Sequence, residues 1–154
     1  MECNHRILKP EQLMKVLPDL LEEGVSVPLV ISGNSMYPFL KHGRDTVYLS
    51  KPERPIREGD MVLYRRRRGE PVLHRVVSVT EKGLTLLGDR QTGMEPGIRP
   101  DCVLAVVTAV RRKGRLIKPG YLVWFFFAKI WPKLLRFRPR LIQIYSFMTA
   151  DKEI

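Results

Sequence analysis

The sequence predicts a mainly β protein, a β-sandwich or partly closed barrel, with a short N-terminal helix and a C-terminal helical extension rich in basic and aromatic residues. Three observations point there. Six or seven short β-like runs succeed one another between Val27 and about Lys118 with no long helix among them. The turn signals EKG, REGD, RRGEP and RKG divide those runs at close intervals. Finally, 154 residues with 44% hydrophobic and 28% charged side chains are enough for one domain with a real core, which excludes a largely disordered chain.

The elements follow in order. Residues 1–26 form an N-terminal segment in which Leu13, Met14, Val16, Leu17, Leu20 and Leu21 recur near helical spacing, predicting a helix from Pro10 to Glu23 that stops at Gly24. Pro18 lacks an N–H and predicts a break in that helix. Residues 27–118 form the β-rich domain. Its candidate strands are VPLVISG, DTVYLS, DMVLYR, PVLHRVVSVT, LTLLG and DCVLAVVTAVRRKG, with GRLIKPG as a short return strand. Residues 119–154 form the extension: YLVWFFFAKIW is apolar over eleven residues, and the following PKLLRFRPRLIQIYSFM mixes Leu, Phe and Ile with Lys and Arg. The four-arginine run Arg65–Arg68 reads as a solvated strand end or hairpin, with a phosphate or acidic-partner contact as the sharper reading.

Charge is unevenly distributed. The net charge of +11 arises almost wholly in the C-terminal third, where Arg111, Arg112, Lys113, Arg115, Lys118, Lys129, Lys133, Arg136, Arg138 and Arg140 occur without one acidic residue between Cys102 and Ala150. The remainder holds 17 basic and 16 acidic residues. The basic character therefore describes a surface of that third and is no signature of specific nucleic-acid binding by the whole chain. Cys3 and Cys102 neither demand a disulfide nor supply a metal site, and they suit a reducing compartment. No uninterrupted apolar stretch of about 18 residues exists, and MECNHRILKPEQLMK lacks the apolar run of a secretory signal. A cytoplasmic location, or a peripheral one on the inner membrane face, is expected.

Two short strings carry chemistry. In Ser32-Gly33-Asn34-Ser35-Met36-Tyr37-Pro38-Phe39-Leu40, a glycine beside a serine and a proline three residues after Ser35 set a tight turn at a strand end. Such a turn presents a hydroxyl and leaves backbone N–H groups to meet an oxyanion. In Val72-Leu73-His74-Arg75-Val76-Val77, strand alternation sends Val72, His74 and Val76 to one face and Leu73, Arg75 and Val77 to the other. A turn serine or a strand histidine alone is more often structural than catalytic. Together they make sense as chemistry: a serine hydroxyl needs a neighbour to take its proton, and a neutral imidazole can do so. The base in turn needs an orienting group, and Asp89 or Glu95, in the connection beyond the next strand, could reach it. His5, in the N-terminal tail, and His42, in a polar turn, are weaker candidates.

The ordered strings GNSMYPFL, GDMVLY, VLHRV and GDRQ resemble the catalytic boxes of type I signal peptidases and the related LexA-type autoproteases. They span Gly33 to Gln91, and four boxes in one order make a specific signal. The resemblance implies a serine endopeptidase with a signal-peptidase-like fold and no cofactor or metal. It implies that Ser35 is the nucleophile and that the Ser35 N–H is an oxyanion donor, with Gly33, Met36 and Pro38 framing the substrate site. His74 stands where most bacterial members have lysine, as in the endoplasmic-reticulum and archaeal branch. Asp89 matches the aspartate of the family's G-D-N-N turn, here GDRQ, while Glu95 falls near that branch's second acidic residue. The sequence departs from the family in three places. No spanning helix precedes the serine box, Arg44 interrupts the usual G-D at Gly43-Arg44-Asp45, and no autocleavage site precedes the serine. Cleavage after small residues, for instance in leader-peptide processing, is the expected activity on a peptide or protein substrate; housekeeping secretory processing and SOS-type repression are not expected.

Two other functions stay open at this level: an inactive peptide- or partner-binding module of the same fold, and, less well supported, a nucleic-acid-binding protein. The extension has two readings as well. It is either core packed on the β-domain, or an interface in which Trp124, Phe125, Phe126, Phe127 and Trp131 and the basic residues of 111–140 meet an anionic membrane. Oligomeric state is not legible.

Overall fold

The computed structural model describes residues 9–150; Cys3 and His5 lie outside the described residues. The fold is mainly β, with eight strands in one antiparallel sheet: β1 (Val27–Val30), β2 (Thr46–Ser50), β3 (Met61–Arg65), β4 (Pro71–Thr80), β5 (Gly83–Leu87), β6 (Glu95–Ile98), β7 (Val103–Arg112) and β8 (Arg115–Ile117). Along the sheet the order is β1-β2-β7-β3-β4-β5-β6, with β8 paired to β7, and the sheet is not closed. The sequence reading missed β6. Its residues, Glu-Pro-Gly-Ile, carry two strand breakers, but an edge position tolerates them because one side of the strand needs no partner.

β3 shows why the core is built as it is. Met61 to Tyr64 are all buried, so both faces of this strand are covered. Met61 and Leu63 join the larger apolar cluster with Leu13, Leu17 and Leu21 of the N-terminal helix, while Val62 and Tyr64 join a smaller one with Val76, Leu84 and Leu86. That helix, α1 (Pro10–Glu22), runs through Pro18 without ending there, contrary to the predicted break. Burial of Leu13, Leu17 and Leu21 on one stripe holds it in place; at about 1.5–3 kcal/mol per buried leucine, the burial outweighs one lost backbone hydrogen bond.

The C-terminal extension packs on the sheet. It begins as α2 (Leu122–Phe125), continues through a π-helical turn at Phe126–Ile130 and a 3-10 stretch at Trp131–Phe137, and ends in α3 (Arg138–Ala150). Trp124, Phe127, Trp131 and Ile142 are buried in the larger cluster, and Phe39 stacks against Trp124 and Phe127. Of the five aromatics considered for a membrane, three are therefore core side chains, Phe126 is half-buried and Phe125 is exposed. Arg138 is buried too, whereas Lys133, Arg136 and Arg140 face solvent. No helix among the described residues is long and apolar enough to cross a membrane.

Candidate active site

The serine turn follows β1 directly. Gly33 adopts a left-handed conformation, which a β-carbon would strain, and its N–H donates to His42 Nδ1 at 2.9 Å. Met36 is buried and anchors the turn from below, while Ser35 is half-exposed. Pro38 follows a cis peptide bond and is also buried. The far side of the turn is held by the rest of the chain: Arg112 Nε donates to Phe39 O at 2.7 Å, and its Nη2 donates to both Pro38 O and Tyr145 Oη on α3. Neither the Oγ nor the N–H of Ser35 has a hydrogen-bond partner among the described residues.

His74 lies in the middle of the β3–β4 hairpin and is 1% exposed. As alternation predicts, it shares a face with Val76 and, through the ladder pairs Val62–His74 and Tyr64–Val72, with Val62 and Tyr64 of β3. Its Nδ1 lies 3.2 Å from Tyr64 Oη. Tyr64 Oη donates to Glu95 Oε2 at 2.8 Å, and Glu95 Oε1 stands 3.7 Å from His74 Nδ1. Arg66 closes the network by donating to both carboxylate oxygens of Glu95. Arg66 belongs to the four-arginine run, which forms the β3–β4 hairpin turn; Arg65, Arg67 and Arg68 are exposed there, whereas Arg66 folds back onto the carboxylate.

Burial sets the electrostatics. It drives the imidazole of His74 down to about 4, with nearby Glu95 opposing the shift and Arg66 adding to it. His74 is thus neutral at pH 7, as a base must be. Burial works against ionised Glu95 as well, but its hydrogen bonds from Arg66 and Tyr64 outweigh that and hold it below the usual carboxylate range. Tyr64 is raised well above an ordinary phenol by burial and by Glu95, so it keeps its proton.

Asp89 is elsewhere. It is 1% exposed on the face opposite His74, where Arg75 grips both its oxygens at 2.9 and 2.8 Å. Arg75 also donates to Gly59 O and lies over the Phe39 ring. The extension staples the same turn: Trp131 Nε1 donates to Asp89 O at 2.7 Å, and Arg138 donates to Gly88 O and Gln91 O. Of the two acids that sequence left in competition, Glu95 adjoins the imidazole and Asp89 is committed to an internal ion pair.

Gly88 directly follows β5, whose last ladder pair is Leu87 with Arg75, the residue next to His74. A β-carbon at Gly88 would lie 2.6 Å from Ser35 O, so the serine turn rests on that glycine. Arg90 N–H fixes it there by donating to Ser35 O at 2.9 Å. On its other side Ser35 lines a cavity of about 230 Å³ with Ile31, Gly33, Met36, Val72 and Leu73. Ser35 therefore lies against Gly88 and close to Val72 and Leu73, the residues before His74 in the chain. The side chains of Ser35 and His74 are not hydrogen-bonded to each other. A larger cavity, about 1180 Å³, opens between Trp124, Phe125 and the segment 50–60, and none of the site residues borders it.

Sequence reading missed the parts played by Tyr64, Arg66 and Arg75. Tyr64 had a usable signal: DMVLYR and PVLHRV on either side of a short Arg-Gly turn imply a hairpin, and alternation then puts Val62, Tyr64 and His74 on one face. Nothing marks Arg66 out from its three neighbours. No cluster of His, Cys, Asp and Glu suited to a metal occurs among the described residues.

No protein-family model matches this chain, and no curated protein matches it.

Proposed function

We propose that this chain is a serine endopeptidase with a signal-peptidase-like fold, in which Ser35 is the nucleophile and His74 the general base. The observation that carries the reading is the seating of the Ser35 turn on Gly88, which follows the strand paired with β4, the strand that carries a neutral, acid-backed His74. His74 Nε2 takes the Ser35 proton as Oγ attacks the carbonyl carbon of a peptide, and the unengaged N–H of Ser35 meets the oxyanion that develops. The protonated imidazole then gives its proton to the leaving amine as the C–N bond breaks. Water, deprotonated by His74, hydrolyses the acyl-enzyme and restores Ser35. The small cavity beside Ser35, walled by Ile31, Met36, Val72 and Leu73, suits a short apolar side chain before the scissile bond, in keeping with leader-peptide processing. Glu95 is the acid behind the base, and Asp89 supports the turn. The Lys and Arg side chains of 111–140 that remain exposed would dock the extension on an anionic membrane surface.

Mass-spectrometric mapping of new peptide N-termini in cells expressing wild type or Ser35→Ala tests this reading, together with labelling of the purified chain by a fluorophosphonate. Cleavages after small residues seen only with wild type, and a phosphonyl adduct on Ser35, are expected. Identical N-termini and no adduct would leave a binding module of the same fold as the answer.

A further inference from the structure

The hydroxyl between His74 and Glu95 poses a question of proton count. A phenol has one proton, and Glu95, ionised and held by Arg66, has only acceptors to offer. The 2.8 Å bond from Tyr64 Oη to Glu95 Oε2 therefore uses the one Tyr64 proton. What Tyr64 presents to His74, 3.2 Å away, is a lone pair. An imidazole nitrogen facing a lone pair in a dry site must be the protonated one; two lone pairs in contact would leave buried acceptors unsatisfied. A neutral imidazole carries a single N–H, so Nε2 is bare.

The other end of the ring agrees. His74 Nε2 has no hydrogen-bond partner among the described residues. An N–H there would have nothing in the protein to donate to. A bare Nε2 is what proton abstraction requires.

We propose that Tyr64 is the positioning residue of this site, its hydroxyl ordered by Glu95 so that it accepts from His74 Nδ1–H and holds the imidazole in the tautomer whose Nε2 can act as a base. The chain of donors runs from His74 Nδ1–H to Tyr64 Oη–H to the Glu95 carboxylate, which Arg66 anchors. A phenol thus stands where a carboxylate would otherwise touch the imidazole. Glu95 Oε1, at 3.7 Å from Nδ1, is too far for a direct hydrogen bond and acts on the ring through Tyr64. The assignment of the tautomer stands by itself, and its consequence for rate rests on the peptidase reading.

Long-range proton–nitrogen NMR correlation on the full chain, labelled with ¹⁵N-histidine at neutral pH, reads the tautomer directly; His74→Gln identifies the His74 signals. Wild type is expected to show His74 with Nδ1 protonated and Nε2 bare. Tyr64→Phe, which removes only the hydroxyl, is expected to shift the ring toward the other tautomer and to slow fluorophosphonate labelling of Ser35 at least tenfold. Protonated Nε2 in the wild type would overturn the proposal without any variant. So would Tyr64→Phe leaving the Nδ1–H form fully populated, since Glu95 would then hold the ring unaided. If the wild type has the expected tautomer, loses it in Tyr64→Phe and yet neither form labels, the peptidase reading fails while the role of Tyr64 in setting the ring is upheld.

Discussion

Replacing Gly88 by alanine tests whether the serine turn is set by the residue that follows β5. The added β-carbon would stand 2.6 Å from Ser35 O and 2.9 Å from Gln91 Oε1. Gln91 has a flexible side chain and can swing aside; Ser35 O is backbone, fixed by Arg90 N–H at 2.9 Å, and must move with its turn. The contact is about 0.8 Å short of ordinary van der Waals distance, so the turn has to retreat by nearly that much. Overpacking of this kind costs about 1–3 kcal/mol. A displacement near 1 Å at a nucleophile is worth about 10²-fold in rate. The assay is the rate of fluorophosphonate labelling of Ser35 beside urea unfolding. Gly93→Ala serves as control, because a β-carbon there meets nothing within 4 Å. The expectation is a stability loss in that range and labelling slowed by roughly 10²-fold for Gly88→Ala, with Gly93→Ala labelling as wild type does. A folded Gly88→Ala that labels at the wild-type rate would refute the argument that Gly88 sets the position of Ser35.

Two other outcomes follow from the buried groups. Burial lowers His74 from 6.5 to about 4, so between those values the unfolded chain binds a proton that the folded chain does not. Stability is then full above about pH 6.5 and declines as pH falls toward 4, by about 3 kcal/mol at about 1.4 kcal/mol per unit. Urea midpoints of wild type and His74→Gln from pH 7 to 4.5 measure it, and parallel declines would show that His74 contributes nothing. Arg75 and Asp89 are both 1% exposed, so Asp89→Asn leaves a buried guanidinium without its counter-charge and should cost about 3–5 kcal/mol. In a double-mutant cycle with Arg75→Met, the coupling should exceed about 1 kcal/mol, and additive losses would show that the pair is not a unit.

Local pattern made much of this protein legible. The strand assignment survives because alternation and turn residues are properties of a few neighbouring side chains, and β4 runs from Pro71 to Thr80 just as its string of ten residues reads. The same alternation separated His74 from Arg75 correctly, since a pleated strand leaves no choice about which face each residue takes. β6 was hidden because its strand state comes from pairing with β5 across the sheet rather than from Glu-Pro-Gly-Ile itself. The helix was judged too harshly at Pro18 for a related reason: a proline penalty is local, whereas the burial that offsets it belongs to the packed core.

The division is sharpest at the site. Sequence singled out a turn serine, a strand histidine and two acids, because short strings record the geometry of single turns and strands. Which acid serves the histidine was beyond it. Asp89 is one residue past Gly88, and Glu95 lies six positions further on, yet they end on opposite faces of the sheet, one gripped by Arg75 and the other by Arg66 and Tyr64. Ion pairing and desolvation are decided by what lies across the strand ladder, and only the packed chain brings those partners within a few ångströms. The basic extension teaches the same lesson. Its charge could be counted residue by residue, but only the fold committed Arg112 and Arg138 to backbone carbonyls behind the serine and GDRQ turns, because a buried guanidinium must find acceptors wherever the chain has placed them.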